Sequence, residues 1–160
     1  VAKVAVYAGS FDPITLGHVD VIARGSALFE AVVVAVGNNP AKRYRFELDR
    51  RCALIREACA ELPNVRVEPF TGLLVDAVRR MEGAVILRGL RASADFDAEL
   101  PYGLANRELS GVETLFLVAS PSLMHVSSSL VKEVHDNGGD VSRMVPSVVL
   151  RALSAKGGPG

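Results

Sequence analysis

The chain has no excess of charge of either sign: 18 Lys and Arg are balanced by 18 Asp and Glu. It therefore lacks the overall basic field by which small domains hold nucleic acid, and no nucleic-acid partner is expected. Cysteine is scarce. Cys52 and Cys59 are the whole complement, and they share one predicted helix, where a rise of 1.5 Å per residue puts their Cα atoms about 10 Å apart. A disulfide cannot bridge that gap, and no paired histidines stand nearby to complete a zinc site. Free thiols of a reducing compartment are the expectation. No apolar run is long enough to span a bilayer, and no leader precedes the first predicted strand, so the chain reads as cytoplasmic without a membrane partner. Other signatures are missing too: a carboxylate pair spaced for hydrolysis, the Gly-x-Gly-x-x-Gly turn of dinucleotide folds, and a Gly-x-Ser-x-Gly elbow. With no repeat and no linker, residues 1–160 read as one domain ending in a short flexible tail from Lys156.

What is present is a strand-helix alternation. Apolar, partly β-branched runs at 3–7, 31–36, 65–67, 84–87 and 112–118 predict five strands. Helical patterns fall over 17–29, 46–60, 72–80, 93–109, 130–135 and 148–153. Ser93 is a candidate cap for the fourth of these, which Pro101 and Gly103 should interrupt. Such alternation predicts an α/β fold: a Rossmann-like open, mainly parallel five-stranded sheet with helices on both faces. Ligands of these sheets bind beyond the carboxyl ends of the strands. Four segments reach that edge: residues 8–18, the basic loop around Lys42, Arg88 to Arg91, and Ser127-Ser128-Ser129.

The chain is organised around residues 7–18, Tyr-Ala-Gly-Ser-Phe-Asp-Pro-Ile-Thr-Leu-Gly-His. Small residues end the first strand, Asp12-Pro13 turns the chain, and Thr15 caps a helix with His18 in its first turn. A tight loop running into a helix start makes an anion site from free backbone N–H groups and the helix dipole. The serine triplet, also ahead of a helix, offers a second. Donors and cations, without an acid-base pair, suit nucleotidyl transfer. There the attacking phosphate is already an anion, and alignment and charge stabilisation do the work.

Gly9-Ser10-Phe11-Asp12-Pro13 with Thr15-Leu16-Gly17-His18 resembles the Thr/His-x-Gly-His signature of the nucleotidylyltransferase superfamily, and within it the phosphopantetheine adenylyltransferase family. Thr15 stands where the broader motif has its first histidine. Val126-Ser127-Ser128-Ser129 and the lysine after Asn39-Pro40 extend the likeness. The resemblance implies adenylyl transfer from ATP to 4′-phosphopantetheine, giving dephospho-CoA and pyrophosphate, with Mg2+ accompanying ATP and no dedicated protein metal site. It implies His18, Lys42, Arg91 and Ser10 as the catalytic set. On the nucleotide side it implies Gly9, Phe11, Gly89, Glu99, Val126 and the three serines. For the acceptor it implies Ser10 and Lys42 again, with Leu73, Leu74, Arg88 and Asn106. A homohexamer and feedback binding of coenzyme A are implied as well.

Taken without the resemblance, Lys42 and Arg43 read as solvated loop cations, Leu73 and Leu74 as core, Glu99 as a surface partner, and Tyr7 as sheet packing. Arg24 reads as a helix-surface charge, although with Lys42, Arg43, Arg45, Arg88 and Arg91 it belongs to the cations available for a positive pocket. Two other functions remain open at this point: a small nucleotidylyltransferase with a different phosphate acceptor, and a non-catalytic nucleotide or coenzyme A sensor. Residues 97–103 and 123–125 depart from the family's usual wording.

Overall fold

The computed structural model describes residues 3–156, so positions 157–160 of the expected tail lie outside the described residues and Lys156 closes the last helix. The elements run β1 (Val4–Gly9), α1 (Leu16–Leu28), β2 (Ala31–Gly37), α2 (Leu48–Ala58), β3 (Val65–Phe70), α3 (Leu74–Arg80), β4 (Val85–Leu90), α4 (Ser93–Ser110), β5 (Glu113–Val118), α5 (Ser128–Asp136) and α6 (Ser147–Lys156). All five strands pair in parallel, in the order β3-β2-β1-β4-β5.

The central strands carry the longest apolar runs because both their faces are covered. Val32 to Val36 are all 0% exposed. Alternation sorts the side chains. Ala5 and Tyr7 pack with Val32, Val34 and residues of α1, α2, α5 and α6, while Val6 and Ala8 pack with Val33, Ala35 and α3. The order reverses between β1 and β4, and this switch point opens a crevice at the carboxyl ends of the strands.

Three differences from the sequence reading bear on the architecture around the crevice. β3 runs on through Pro69, which is tolerated because β3 lies at the sheet edge. β4 includes Arg88, Gly89 and Leu90 rather than ending before them. Beyond Leu87 its ladder continues with β5 alone, as far as Leu90 opposite Val118. Its β1 side is then open toward the crevice. α4 is continuous through Pro101. The proline removes one donor, that for the Asp97 carbonyl, on a helix with no buried residue, where water can take its place. Ser93 does not cap α4. Ala92 holds the cap position without a side-chain bond, and Asp95 instead accepts the Arg91 N–H at 2.9 Å. Cys52 and Cys59 are free and buried, and burial raises both thiols, that of Cys59 to about 11.

Gly83 marks a close approach. A Cβ there would lie 2.5 Å from Val6 Cγ2, 2.8 Å from Val78 Cγ1 and 3.3 Å from the Val78 carbonyl. Both valines are fully buried and stiff at χ1. Gly83→Ala should therefore cost about 1–3 kcal/mol of stability by overpacking. Urea unfolding would check this, and an unchanged midpoint would contradict the packing.

Candidate active site

Thr15 caps α1, accepting the His18 N–H on its hydroxyl at 3.3 Å. His18 returns the bond. The Thr15 N–H donates to its Nδ1 at 3.1 Å, which completes a capping box with histidine in the place usual for Glu or Gln. This bond fixes the tautomer. Nδ1 is bare, and the proton sits on Nε2. Burial, and then the charge of Arg91, lowers the His18 pKa to about 4. His18 is thus a neutral N–H donor.

The ring packs edge-on to Phe11 at 5.0 Å between centroids, and Phe11 packs edge-on to Tyr7 at 5.3 Å. Phe11 has φ 46°, in the left-handed region. A bulky L-residue holds that conformation at a cost of roughly 1–2 kcal/mol, so the surroundings must enforce it. Asp12, 3% exposed, accepts the Arg45 N–H at 2.6 Å and the Phe46 N–H at 2.9 Å, and its carboxylate lies 3.5 Å from Lys132 Nζ. The basic loop is thereby fastened to the first loop. Within it, Asn39 shapes the turn that carries Lys42. Its Oδ1 accepts the Ala41 N–H at 2.9 Å, and its carbonyl accepts the Lys42 N–H at 3.0 Å.

The cations at and just beyond the end of β4 are held by carboxylates. Arg88 lies 3.1 Å from Glu99 and donates to the Ala8 carbonyl at 2.6 Å. Arg91 pairs with Asp95 and donates to the Val126 carbonyl at 3.1 Å. Burial works against ionisation of Asp95, but the hydrogen bonds from Arg91 prevail and hold its pKa below the usual range. Tyr7 is pushed up by burial, against the pull of Arg88 and Arg91. It serves as a packed wall with a neutral hydroxyl, not as a phenolate.

The three serines divide their duties. Ser127 caps α5, accepting the Leu130 N–H at 3.1 Å. Ser128 donates to the Pro13 carbonyl at 2.8 Å, tying the two loops together. Ser129 is exposed at the cavity rim. The first turn of α5 therefore faces the cavity with its dipole and backbone donors.

Two adjoining cavities result. The first, about 460 Å³, is lined by every residue expected on the nucleotide side, including His18, Arg91, Glu99, Val126 and the three serines. The second, about 770 Å³, is lined by every residue expected at the acceptor, with Leu73, Leu74 and Asn106 forming its far wall. The lining of the first is more polar than apolar, and that of the second is mostly apolar. Ser10, Lys42 and Arg88 line both, together with Ala8, Gly9 and Tyr44. Leu73 is 60% exposed, a lining residue rather than core. Of the six cations, Lys42, Arg43, Arg88 and Arg91 reach the first cavity. Arg24 and Arg45 do not, being engaged with Asp20 and Asp136 respectively. Sequence reasoning missed the roles of Asp12, Tyr44, Asp95 and Arg51. Arg51 could have been found, because it falls on the helical face of Leu54 and Ile55, where a charged residue is out of place.

Similarity to known proteins extends over most of the chain. The Cytidylyltransferase-like family model matches residues 6–134. "Phosphopantetheine adenylyltransferase" of Streptomyces coelicolor is 54% identical over 152 residues, covering 95% of this chain and 96% of that one. The proteins of the same name from Pseudarthrobacter chlorophenolicus and Micrococcus luteus are each 52% identical. They cover 94% and 93% of this chain, and 92% and 96% of their own lengths. Among solved structures, a bifunctional NMN adenylyltransferase/ADP ribose pyrophosphatase from Francisella tularensis superposes with a TM-score of 0.72 at 14% identity. It covers 97% of this chain and 49% of that one, a likeness of fold.

Proposed function

The chain belongs to the phosphopantetheine adenylyltransferase family, and from that membership we infer that it transfers the adenylyl group of ATP reversibly to 4′-phosphopantetheine, releasing pyrophosphate and forming dephospho-CoA. The observation that carries this reading is the junction of the two cavities at Ser10, Lys42 and Arg88. A nucleotide in the first and a phosphorylated arm in the second bring an acceptor phosphate against an α-phosphate at that junction.

An acceptor oxygen attacks the α-phosphorus in line. The new P–O bond forms as the bond to the β-phosphate oxygen breaks, and pyrophosphate leaves with that electron pair. The nucleophile is already an anion, so no base is required and no covalent enzyme intermediate forms. His18 donates its Nε2 proton as a hydrogen bond to the α-phosphate oxygens. Lys42 and Arg91 offset the charge that gathers on the transferring and leaving groups. Arg88 and Ser10 hold the acceptor phosphate, and the first turn of α5 receives the triphosphate. Leu73, Leu74 and Asn106 border the pantetheine arm, and Gly89 lets the backbone near adenosine.

Among the described residues no three His, Cys, Asp or Glu side chains gather to hold a metal. Asp12, Asp95 and Glu99, the carboxylates of the first cavity, each already face a cation. Mg2+ therefore fits as part of the MgATP substrate, carried by phosphates and water and screening the triphosphate charge. Self-association into a homohexamer is proposed on the large apolar side chains that α4 and β5 leave exposed, Leu104, Leu109, Leu115 and Val118. Feedback by coenzyme A fits the same pair of cavities, since it carries both the nucleotide and the arm. Among the described residues no helix is long and apolar enough to cross a membrane.

The test is pyrophosphate release from ATP with a panel of acceptors: 4′-phosphopantetheine, nicotinate mononucleotide and a simple phosphorylated alcohol. We expect kcat/KM to favour 4′-phosphopantetheine by at least about 100-fold. A different preferred acceptor would sink the assignment, and saturable binding of ATP without pyrophosphate release would identify a sensor.

A further inference from the structure

Among the described residues the largest fully buried side chain is an arginine. Arg51, on the first turn of α2, is 1% exposed, and among the described residues no carboxylate lies within 4 Å of it. Buried cations ordinarily have an anionic partner. Arg51 is satisfied instead by oxygens of three separate segments. Its Nη1 donates to the Ser10 carbonyl at 2.7 Å and the Gly37 carbonyl at 2.9 Å. Nη2 donates to Asn38 Oδ1 at 3.0 Å, and Nε to the Phe46 carbonyl at 3.1 Å. The Tyr44 ring covers the guanidinium, with Cζ 3.9 Å from its centroid. One planar fork thus joins the end of β2, the basic loop and the loop after β1.

We propose that Arg51 is a positioning residue for phosphoryl transfer: it fixes the Ser10–Phe11 peptide and the Lys42 loop in one arrangement, and sets an uncompensated positive charge behind both. The Ser10–Phe11 peptide is trans, the only cis bond among the described residues being Asp12–Pro13. In a trans peptide the carbonyl and N–H point to opposite sides. With the Ser10 carbonyl turned to Arg51, the Phe11 N–H faces away from it. That is also the residue held in the left-handed conformation against Tyr7 and His18. A charge-assisted bond to the carbonyl resists relaxation of this peptide, and polarises its N–H as a donor to an anion. Meanwhile Arg88, Arg91 and Lys132 have carboxylate partners that offset part of their charge. Arg51 has none, so its field adds to that of Lys42 where the substrate phosphates meet.

The inference rests on the adenylyl-transfer reading, and the experiment separates the two. Arg51→Lys and Arg51→Met are compared with Asn38→Ala, which removes one acceptor of the fork and leaves the charge in place. Calorimetry with ATP alone and pyrophosphate release with both substrates are measured per folded molecule, alongside thermal midpoints. In Arg51→Lys we expect ATP to bind about 10-fold more weakly and kcat to fall about 100-fold, because a displacement near 1 Å at the reacting groups is worth that much. Arg51→Met should lose more than Arg51→Lys, since the lysine restores charge but not the fork. Asn38→Ala should lose about threefold in kcat, which keeps the test valid should both Arg51 variants fail to fold. A purely structural Arg51 predicts lowered thermal midpoints with turnover and ATP affinity per folded molecule within twofold of the parent, and that result would overturn the proposal. A parent protein that binds ATP yet releases no pyrophosphate would defeat the functional reading instead, and the ATP affinities would then decide for or against Arg51.

Discussion

Replacing His18 by alanine is expected to lower the turnover for pyrophosphate release by about 10²–10³-fold, the range for removing one aligned donor from developing oxyanion charge. KM for ATP and for 4′-phosphopantetheine should move by no more than about threefold, as for an interaction made mainly in the transition state. The geometry gives the reason. The Thr15 N–H occupies Nδ1, so Nε2 alone carries the proton and faces the cavity. The pKa of about 4, set by burial and then by Arg91, keeps the ring neutral at working pH. The pH profile of kcat should accordingly show no fall as pH rises through 6.5. The same shift has a consequence for stability. The native pKa lies below the ordinary value of 6.5, so the unfolded chain takes up a proton first as pH falls. The stabilisation from neutral His18 is whole above about pH 6.5 and is lost as pH drops toward 4. His18→Gln should therefore lose less stability than the parent between pH 7 and pH 4.5, as read by urea midpoints. Folded His18→Ala with unchanged turnover would reject the role, and a kcat that falls as pH rises through 6.5 would mean that the ring works as an imidazolium.

How much of this was legible beforehand depended on which physical rule governed each segment. β2 was plain because Val32 to Val36 are buried on both sides, and such a strand must read as an unbroken apolar run. Thr15 and His18 were legible because cap spacing is a local rule that tertiary contacts seldom reverse. The end of β4 was less so. Arg88 and Gly89 look like punctuation, but their strand geometry is imposed by the ladder to β5, a contact between residues nearly thirty apart in sequence. α4 misled for the opposite reason: the cost of Pro101 depends on whether the orphaned carbonyl meets solvent, which sequence does not reveal. The site followed the same division. Residues facing the cavities could be carried over from a motif, and they line the two adjoining cavities. Asp12, in the wall of the first cavity, and Arg51, behind it, act largely through backbone groups, and backbone groups leave no mark on the sequence that specifies them. Arg51 differs only in breaking the apolar face of its helix.

Lys42→Ala should bring the second large loss, about 10²–10³-fold in turnover, because it removes an exposed cation that lines both cavities. Lys42 is exposed, and among the described residues no carboxylate lies within 4 Å of it, in contrast to Arg88 and Arg91. Its backbone is nonetheless placed, by the Asn39 turn on one side and by Asp12 holding the Arg45 and Phe46 N–H groups on the other. A fixed base with a free four-carbon stem lets the ammonium follow charge as it moves from the attacking oxygen to the departing pyrophosphate. Both substrates should feel the loss, so kcat/KM for ATP and for 4′-phosphopantetheine should fall together, unlike the separate effects expected where a residue lines only one cavity. Arginine would not be an equal substitute: in Lys42→Arg a planar fork replaces a compact point charge, and recovery should stay below about one tenth of parental turnover. Stability should hardly change, within about 0.5 kcal/mol, since the side chain is exposed. Steady-state kinetics beside urea unfolding would check both halves. Turnover within threefold of the parent in the folded Lys42→Ala protein would remove Lys42 from the reaction and leave the junction to Arg88 and Ser10.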